Sequence, residues 1–548
     1  MRSLRRTILA SDWAKVLVAA AFLAVFGGVA VGAGAFFLRA FRYVLVEPIV
    51  GPVITRYLLE ASFAAVFALG AASFVVSSPA LLFGGPESRF LAAMPVEPST
   101  AFFHRFIGAV IVSSWPVLFL GIPALWALGV AGAAPLPYYV FALATLGLFA
   151  LAIGAVGGIL SFALWAVFGK LPAGARIVLG TGLGVLLTAL LARTIVPRGL
   201  FALFTAADAS EAGAAITGIR ERFFWWPSHS FVEAISGAIP GTADGTAAIA
   251  LGLASAAIIA VFVILAVLAQ RAYLPLWRMR QERGLLARPA DVRGRAKLRR
   301  PFPRFLKWRH SFLFEKDLLV LARSPEELAR AGFLLALLVF YVFAARSLTF
   351  LDALRTPELF STIIAFAYAA IGYFALTFGL RFVFPAFSLE GRSAWILWSS
   401  PLHLHEIFSW KFFFWSTLIG CVLETVAVLT AWLFALPALL AVYLIFAVLC
   451  AVVPMIAIAL VLGTIFPNFR DRDPDSLSTS PAGLLTAASG LIVIAVLAEY
   501  LKRFAVAYLA TGTIDIVGAF GMLIVAAAIA GIGWAVAPRY MDQAEFPS

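Results

Sequence analysis

The amino-acid sequence predicts an all-α membrane protein of about twelve transmembrane helices, arranged as two similar six-helix halves. The first observation is composition, because 63% of the residues are hydrophobic and only 13% are charged, with a mean hydropathy of +1.00. Soluble domains are far less apolar. The second observation is that the apolar residues fall in runs of roughly 20 to 30, the length that crosses the hydrocarbon core of a bilayer. The third is a pattern that two of the loops share.

The predicted spans are the apolar runs of the chain. The first run is longer than the core of a signal peptide, and we expect it to remain as a membrane span. Cys421 and Cys450 lie inside predicted spans without a CxxC pattern, which indicates neither a disulfide framework nor a zinc site. The predicted spans are 16–38, 58–83, 106–131, 137–168, 175–195, 246–270, 331–348, 359–384, 410–435, 437–465, 483–501 and 513–537.

The distribution of Lys and Arg predicts the orientation of these spans. With the amino terminus inside, the even-numbered connections carry most of the basic residues, as the positive-inside rule requires of cytosolic loops. Arg56 is one of a few exceptions. We therefore expect a multi-pass protein of the inner cell membrane with both termini in the cytosol. The same distribution explains the formal net charge of +13 without nucleic-acid binding.

A basic linker separates the two predicted halves. The first half is 1–270 and the second is 331–548, while 271–330 contains sixteen basic and six acidic residues. Such a linker is attracted to anionic lipid headgroups. Its last part has an apolar stripe among charged residues, which predicts an amphipathic helix on the inner leaflet. The charged residues of that helix are Glu315, Lys316, Asp317 and Arg323.

The long connection 197–245 is predicted to lie outside and contains the aromatic run Phe223, Phe224, Trp225 and Trp226. Aromatic residues of this kind suit a helix that anchors at the membrane interface. A role facing the substrate is the other interpretation. Both remain open at the level of sequence.

Two loops share one pattern and predict a duplicated bundle. The loop after the second span reads ESRFLAAMPVEPSTAFFHRF, and the loop after the eighth reads EGRSAWILWSSPLHLHEIFSWKF. Aligning Pro95 with Pro401 places Arg105 on Lys411, and an acid followed by an arginine begins each loop. Six spans separate the loops, so the halves would have the same orientation. A surface turn would explain one such loop, but the repetition favours an element that docks on a soluble partner.

These loops, together with FEKDLLVLARSPEEL before the seventh span, resemble the permeases of type-2 ABC exporters, in particular the large fused exporter permeases of bacteria. The resemblance implies that the amphipathic helix is a connecting helix and that the two loops are coupling helices that dock on an ATPase dimer. It extends over most of the chain in topology but over about 60 residues in motif. The first half lacks an FEKDL-like helix. The coupling residues implied are Glu87, Arg89, Pro95, Glu390, Arg392 and Pro401.

The sequence contains no GxxxxGK[ST] pattern, which in P-loop proteins cradles nucleotide phosphates with backbone amides and a lysine. HExxH and GxSxG patterns are absent as well. We therefore expect this chain not to be an enzyme and to hold no catalytic, cofactor or metal site. If the resemblance holds, ATP and Mg²⁺ are bound by the partner ATPase subunit.

Glu424 is the deepest charged residue of the predicted spans. Burying a charge in hydrocarbon costs about 2.5 to 3.5 kcal/mol on insertion scales, so the residue needs an explanation. It could contact substrate or carry protons, or it could be a protonated or hydrogen-bonded packing residue between helices. The sequence favours an ATP-driven exporter permease of unidentified substrate. The alternatives are an ion-coupled secondary transporter and a membrane-embedded lipid-modifying enzyme.

Overall fold

The computed structural model describes residues 12–46, 50–83, 95–168, 171, 173–195, 217–238, 246–286, 311–323, 325–347, 357–393, 403–469, 474–478 and 480–541. The regular elements in these ranges are all helical, and no strand occurs among them. Nine of the described helices are long and apolar enough to cross a membrane. The predicted all-α membrane fold is therefore confirmed, and the chain is a multi-pass membrane protein. The count of twelve spans remains a prediction.

Fifteen α-helices of the described residues are numbered here in chain order. They are α1 (Asp12–Leu45), α2 (Val50–Leu81), α3 (Pro98–Ala131), α4 (Leu136–Phe168), α5 (Ala173–Ile195), α6 (His229–Ser236), α7 (Thr246–Leu286), α8 (Ser311–Arg323), α9 (Pro325–Ser347), α10 (Pro357–Phe378), α11 (Leu404–Leu433), α12 (Ala438–Ile465), α13 (Pro474–Ser478), α14 (Pro481–Thr511) and α15 (Ile516–Met541). Shorter apolar stretches occur at Val117–Ala131, Val178–Leu191 and Arg330–Val342.

The ends of α14 show how local sequence sets the helix boundaries. Ser480 precedes the helix, and its hydroxyl accepts a hydrogen bond from the backbone N–H of Gly483. Pro481 occupies the first helical position, where its missing N–H costs nothing. The helix ends at Gly512, which adopts a left-handed backbone conformation with φ of 71°. Glycine allows this conformation without strain.

The helices form two compact units, and the first comprises residues 29–303 and 325–340. Its central helix is α4, which packs against α2, α3 and α7. Small residues along α4 let the neighbouring backbones approach closely, as is typical of membrane helices. A Cβ atom on Gly157 would lie 2.8 Å from the Cβ of Phe74. The other buried small residues between positions 154 and 161 are Gly154, Ala155, Gly158 and Ser161.

The second unit comprises residues 1–28, 304–324 and 341–548, and α12 is its central helix. This helix packs against α10, α11, α14 and α15. Two buried tyrosines satisfy their hydroxyls on backbone carbonyls. Tyr368 donates to the carbonyl of Ala447 at 3.1 Å, and Tyr443 donates to that of Gly518 at 2.7 Å. Buried polar groups need such partners because desolvation is costly.

The backbone after α10 leaves α-helical geometry in steps. A π-helical turn at Gly379–Val383 is followed by 3₁₀ turns at Phe384–Ala386 and Ser388–Ser393. Such a change leaves carbonyl and amide groups without their usual helical partners. The hydroxyl of Ser478 donates to the carbonyl of Leu380 at 2.9 Å, and that of Ser388 accepts from the amide of Asn468 at 3.1 Å. These bonds hold the segment in one conformation.

The close approach of α12 to this segment generates a prediction. A Cβ atom on Gly463 would lie 2.3 Å from the carbonyl oxygen of Phe384, which belongs to the backbone and cannot rotate away. We expect Gly463→Ala to cost about 1 to 3 kcal/mol through overpacking and to lower the melting temperature in detergent. Gly420→Ala is the control, because its Cβ would meet only Val452 Cγ1 at 3.9 Å. Equal melting temperatures for the two variants would contradict the packing.

Candidate functional site

The structure brings together four charged residues of the second unit. Lys316 and Asp317 lie on α8, Glu390 lies in the 3₁₀ turn Ser388–Ser393, and Lys411 lies in the second turn of α11. The family resemblance implies that the first two belong to the connecting helix and that Glu390 belongs to the second coupling element. Lys411 is the residue that aligns with Arg105 in the repeated loop. We call these four residues the Lys411 cluster.

Lys411 is the centre of the cluster. Its Nζ lies 2.8 Å from Glu390 Oε1 and 3.4 Å from Asp317 Oδ2. The ammonium group of Lys316 contacts Glu390 as well, and it lies 3.1 Å from Asp317 Oδ1. Lys411 also lies over the ring of Phe387, with its Nζ 5.3 Å from the ring centroid. A cation at this distance is attracted to the ring face.

Burial makes the Lys411 cluster stronger than an ordinary surface ion pair. Only 5% of Lys411 is exposed, and the side chain of Glu390 is 15% exposed. Burial by itself raises the pKa of Glu390, but the ammonium groups of Lys411 and Lys316 outweigh this effect and lower the pKa below its usual value. Glu390 is therefore ionised at neutral pH. The cluster is balanced, with two ammonium and two carboxylate groups.

Apolar packing brings α8 to the same place. Phe314 of α8 meets Phe414 of α11 edge to face, with ring centroids 4.9 Å apart. Phe414 is almost fully buried. Phe314 lies on the apolar stripe of the amphipathic helix α8, and Lys316 and Asp317 lie beside that stripe. Hydrophobic contact and charge pairing therefore hold the same helix.

The structure describes the remaining predicted site residues only in part. Pro95 is exposed, and Glu315 is partly buried on α8. Arg323 and Arg392 lie in α8 and in the turn Ser388–Ser393, and their side chains are outside what the structure describes. Glu87 and Arg89 lie outside the described residues, as does Pro401.

Arg105, the counterpart of Lys411 in the first unit, has a different partner. Its Nη1 donates to the carbonyl of Leu82 at 3.1 Å, and the hydroxyl of Tyr273 donates to the same oxygen at 3.0 Å. Leu82 directly follows α2, so the guanidinium satisfies a terminal carbonyl at the negative end of the helix dipole. Arg105 therefore anchors the end of the helix that precedes its loop, whereas Lys411 pairs with Glu390, the first residue of the corresponding loop.

Glu424 lies in α11 and is half-buried. Both of its carboxylate oxygens are shielded from solvent, and neither has a hydrogen-bond partner among the described residues. The interpretation as a hydrogen-bonded packing residue therefore finds no partner in this part of the structure. The role of Glu424 remains a prediction.

The structure also contains a buried ion cluster that sequence reasoning missed. Arg56 of α2 donates from Nη2 to Glu60 at 2.9 Å, and it contacts Glu233 and Ser236 of α6. His229 Nδ1 lies 2.8 Å from Glu60 Oε1. The available signal was the pair Arg56 and Glu60, four residues apart in an apolar run, because charges in such a run need partners. We call this group the Arg56 cluster.

The electrostatics of the Arg56 cluster are those of a paired network. Glu60 is fully buried and Arg56 is 7% exposed. Burial raises the pKa of Glu233, but the guanidinium of Arg56, with Arg220 and His229, outweighs it and lowers the pKa. Glu60, His229 and Glu233 also have ligand atoms within 4.8 Å of one another, as a metal site requires. The guanidinium of Arg56 already supplies a positive charge to both carboxylates.

Removing the lysine tests whether the Lys411 cluster stabilises the protein. In Lys411→Met, Glu390 and Asp317 keep their charges with Lys316 alone, so we expect a loss of about 3 kcal/mol in the free energy of unfolding. Arg503→Met is the control, because Arg503 is 60% exposed and lies 3.9 Å from Glu499. Its loss should stay below about 0.5 kcal/mol. Similar losses for the two variants, measured as thermal denaturation in detergent, would contradict the cluster.

The pH dependence of stability tests the ionisation of Glu390. Its pKa is lowered in the folded protein, so its contribution is complete above the unfolded pKa of about 4.3 and is lost as the pH falls through the folded pKa. We expect the melting difference between wild type and Glu390→Gln to be largest at neutral pH and to shrink below about pH 4. Glu499→Gln, at a side chain that is 64% exposed, should give a small difference throughout. A Glu390→Gln difference that grows in acid would refute this assignment.

Comparison with known families places the chain among ABC-transporter-related proteins. A family model described as "putative ATP-binding cassette" matches residues 11–530. No curated protein and no solved structure matches this chain. The match extends over residues of both compact units.

The family description corrects one prediction. The missing P-loop pattern predicted that this chain is not an enzyme, whereas the matching family is described as an ATP-binding cassette, which points to ATP hydrolysis. That prediction is wrong on this finding. The P-loop pattern is one local arrangement of backbone amides and a lysine, whereas the family match rests on residues 11–530.

The membrane helices and the family match agree in the kind of protein they indicate. A helical body with several apolar spans is what a transporter of this class places in the bilayer. A transporter-type role is therefore supported. The chain belongs to the ABC-transporter-related family described as "putative ATP-binding cassette".

Proposed function

We propose that this chain is the membrane-spanning permease of an ABC exporter in the inner cell membrane, with both termini in the cytosol. A separate ATPase subunit, acting as a dimer, binds ATP and Mg²⁺ and docks on the cytosolic loops. ATP binding and hydrolysis then favour one conformation of the helices over another and so change which side of the membrane the substrate site faces. The family match and the apolar helices support this proposal.

The observation that carries the proposal is the Lys411 cluster. It joins the predicted connecting helix α8, the predicted coupling segment 388–393 and the membrane helix α11 through charges that are mostly buried. Separating any two of these elements would leave a buried charge without its partner, which is strongly unfavourable. A force applied to the coupling segment would therefore reach α8 and α11 together.

The surface of the segment suggests which residue meets the partner. Glu390 is mostly buried, so we assign it to holding the segment in place. Leu389, its neighbour, is 40% exposed and offers an apolar contact. An exposed apolar side chain gains free energy when a partner covers it and removes it from water. Glu87, Arg89, Pro95, Glu390, Arg392 and Pro401 remain proposed parts of the two coupling elements.

A charge placed on Leu389 tests the docking. We expect Leu389→Glu to reduce ATP hydrolysis by the complex with its ATPase subunit at least about fivefold, because a carboxylate would be desolvated at the interface. Leu439→Glu is the matched control, since Leu439 is 39% exposed and lies beyond the opposite end of α11. The measurement is ATP hydrolysis in proteoliposomes, with equal amounts of inserted protein. Equal hydrolysis by the two variants would refute docking at Leu389.

The same proteoliposomes test where ATP is handled. The permease proposal expects an ATPase subunit that co-purifies in stoichiometric amount and raises hydrolysis when it is added back. Hydrolysis by the purified chain without that subunit would instead place an ATP site in this chain, in line with the family description.

Ion-coupled secondary transport is a second candidate, which Glu424 favours. Ionisable residues inside membrane helices commonly bind ions or carry protons, and the oxygens of this carboxyl group have no partner among the described residues. Transport driven by a proton gradient, with no ATP or ATPase subunit present, would favour this candidate over the ABC exporter.

A further inference from the structure

An open groove lies beside the Arg56 cluster in the first unit. Its volume is about 680 Å³, and it is bounded by the described segment 217–238 and by the first turns of α7. Pockets of this volume hold drug-sized molecules. By the charge distribution of the loops, this end of α7 is expected on the outer side of the membrane.

One wall of the groove is aliphatic. Ile249 and Leu253 stand one turn apart on α7, within the membrane span Ala248–Met279, and they are 66% and 65% exposed. Side chains at this spacing lie on the same face of a helix. The wall therefore suits an alkyl chain that runs parallel to α7 and remains in contact with the lipid.

The opposite wall is aromatic. The rings of Phe224 and Trp225 stand nearly perpendicular, at 83°, with centroids 5.8 Å apart, and Phe224 also meets the ring of His229 at 6.2 Å. Trp225 is 88% exposed, whereas the preceding Phe223 is fully buried. The exposed rings of this run therefore belong to Phe224 and Trp225, whereas Phe223 belongs to the core. Two exposed rings at right angles present faces of negative potential to a cation.

The charges at the groove favour a cation as well. Arg220 and Glu233 neutralise each other through two contacts, Nε to Oε1 at 2.9 Å and Nη2 to Oε2 at 3.1 Å. Glu221 is exposed on the same wall and has no ion-pair partner among the described residues. His229 is half-buried and already paired with Glu60. The unpaired carboxylate beside the aromatic rings complements a positively charged headgroup.

We propose that this groove binds a cationic amphiphile, a long-chain amine or quaternary ammonium compound. The ammonium head lies at Phe224, Trp225 and Glu221, and the alkyl chain lies along Ile249 and Leu253. Aromatic rings with a nearby carboxylate are a common way to bind quaternary ammonium groups. As the substrate class of the exporter, this inference rests on the proposed function. As a binding site it stands alone.

The Arg56 cluster preorganises one wall of the groove. His229 and Glu233 line the groove. His229 contacts Glu60 of α2, and Glu233 contacts Arg56 of the same helix. Phe223 packs against Tyr57 of α2, with ring centroids 6.1 Å apart. The segment that carries the aromatic wall is thus fixed to a membrane helix. A fixed wall loses little conformational freedom when a ligand binds.

Direct binding tests the proposal without ATP or an ATPase subunit, so its failure is separate from failure of the proposed function. Purified protein in dodecyl maltoside is immobilised on scintillation beads with radiolabelled tetradecyltrimethylammonium. We expect saturable binding that Trp225→Ala and Glu221→Gln each weaken at least about fivefold. Trp432→Ala is the control, since Trp432 is 74% exposed in the other unit, and its affinity should match wild type.

Competition identifies the recognised charge. Unlabelled tetradecyltrimethylammonium should displace the probe, and displacement by tetradecylphosphocholine would support recognition of its ammonium group. Displacement by tetradecyl sulfate at the same concentration would overturn the proposal, as would unchanged affinity in both groove variants. Trp225 and Glu221 are exposed, so both variants should fold, and gel filtration checks this. If one variant is lost, the other decides.

Discussion

A lysine ammonium group almost withdrawn from solvent needs negative charge around it, and this requirement organises one end of the second unit. Lys411 belongs to a membrane helix, whereas its two carboxylates come from α8 and from the segment that follows α10. In a region of low dielectric, each of these charges is stable only while the others stay in place. The three elements therefore behave as one mechanical body, which a membrane protein needs wherever a soluble partner acts on its helices.

The backbone around the Lys411 cluster also determines where Glu390 lies. A continuous α-helix after Phe378 would carry Glu390 onward along the axis of α10. The π and 3₁₀ turns change the direction of the chain within a few residues. The hydroxyl of Ser478 donates to the carbonyl of Leu380, and the hydroxyl of Ser388 accepts from the amide of Asn468, so both ends of the segment are tied to neighbouring parts of the unit. The absence of a side chain at Gly463 gives the turn its space. Backbone geometry and charge pairing thus determine one position for the carboxyl group.

Sequence reasoning predicted the parts of this arrangement that depend on local pattern. Run length predicted the membrane helices, amphipathic spacing predicted α8, and the repeated loop singled out Glu390. It did not predict that Lys411 joins Glu390 to Asp317, because Asp317 precedes Lys411 by 94 residues and only folding brings them together. His229 and Glu233 were missed for the same reason, since their partners on α2 are 169 and 177 residues away. Charge pairs of this kind are tertiary, and periodicity carries no information on them.

The open form of the groove suits a ligand whose alkyl chain lies in the lipid bilayer. A transporter of water-soluble molecules must enclose its substrate, because the bilayer offers no favourable surroundings for polar groups. An alkyl chain already lies in a favourable environment, so the protein has to provide binding groups for the head alone. Exposed Ile249 and Leu253 next to paired charges and two exposed rings meet that requirement. The charges behind the groove are buried and paired, so they hold the aromatic wall without attracting the headgroup away from it.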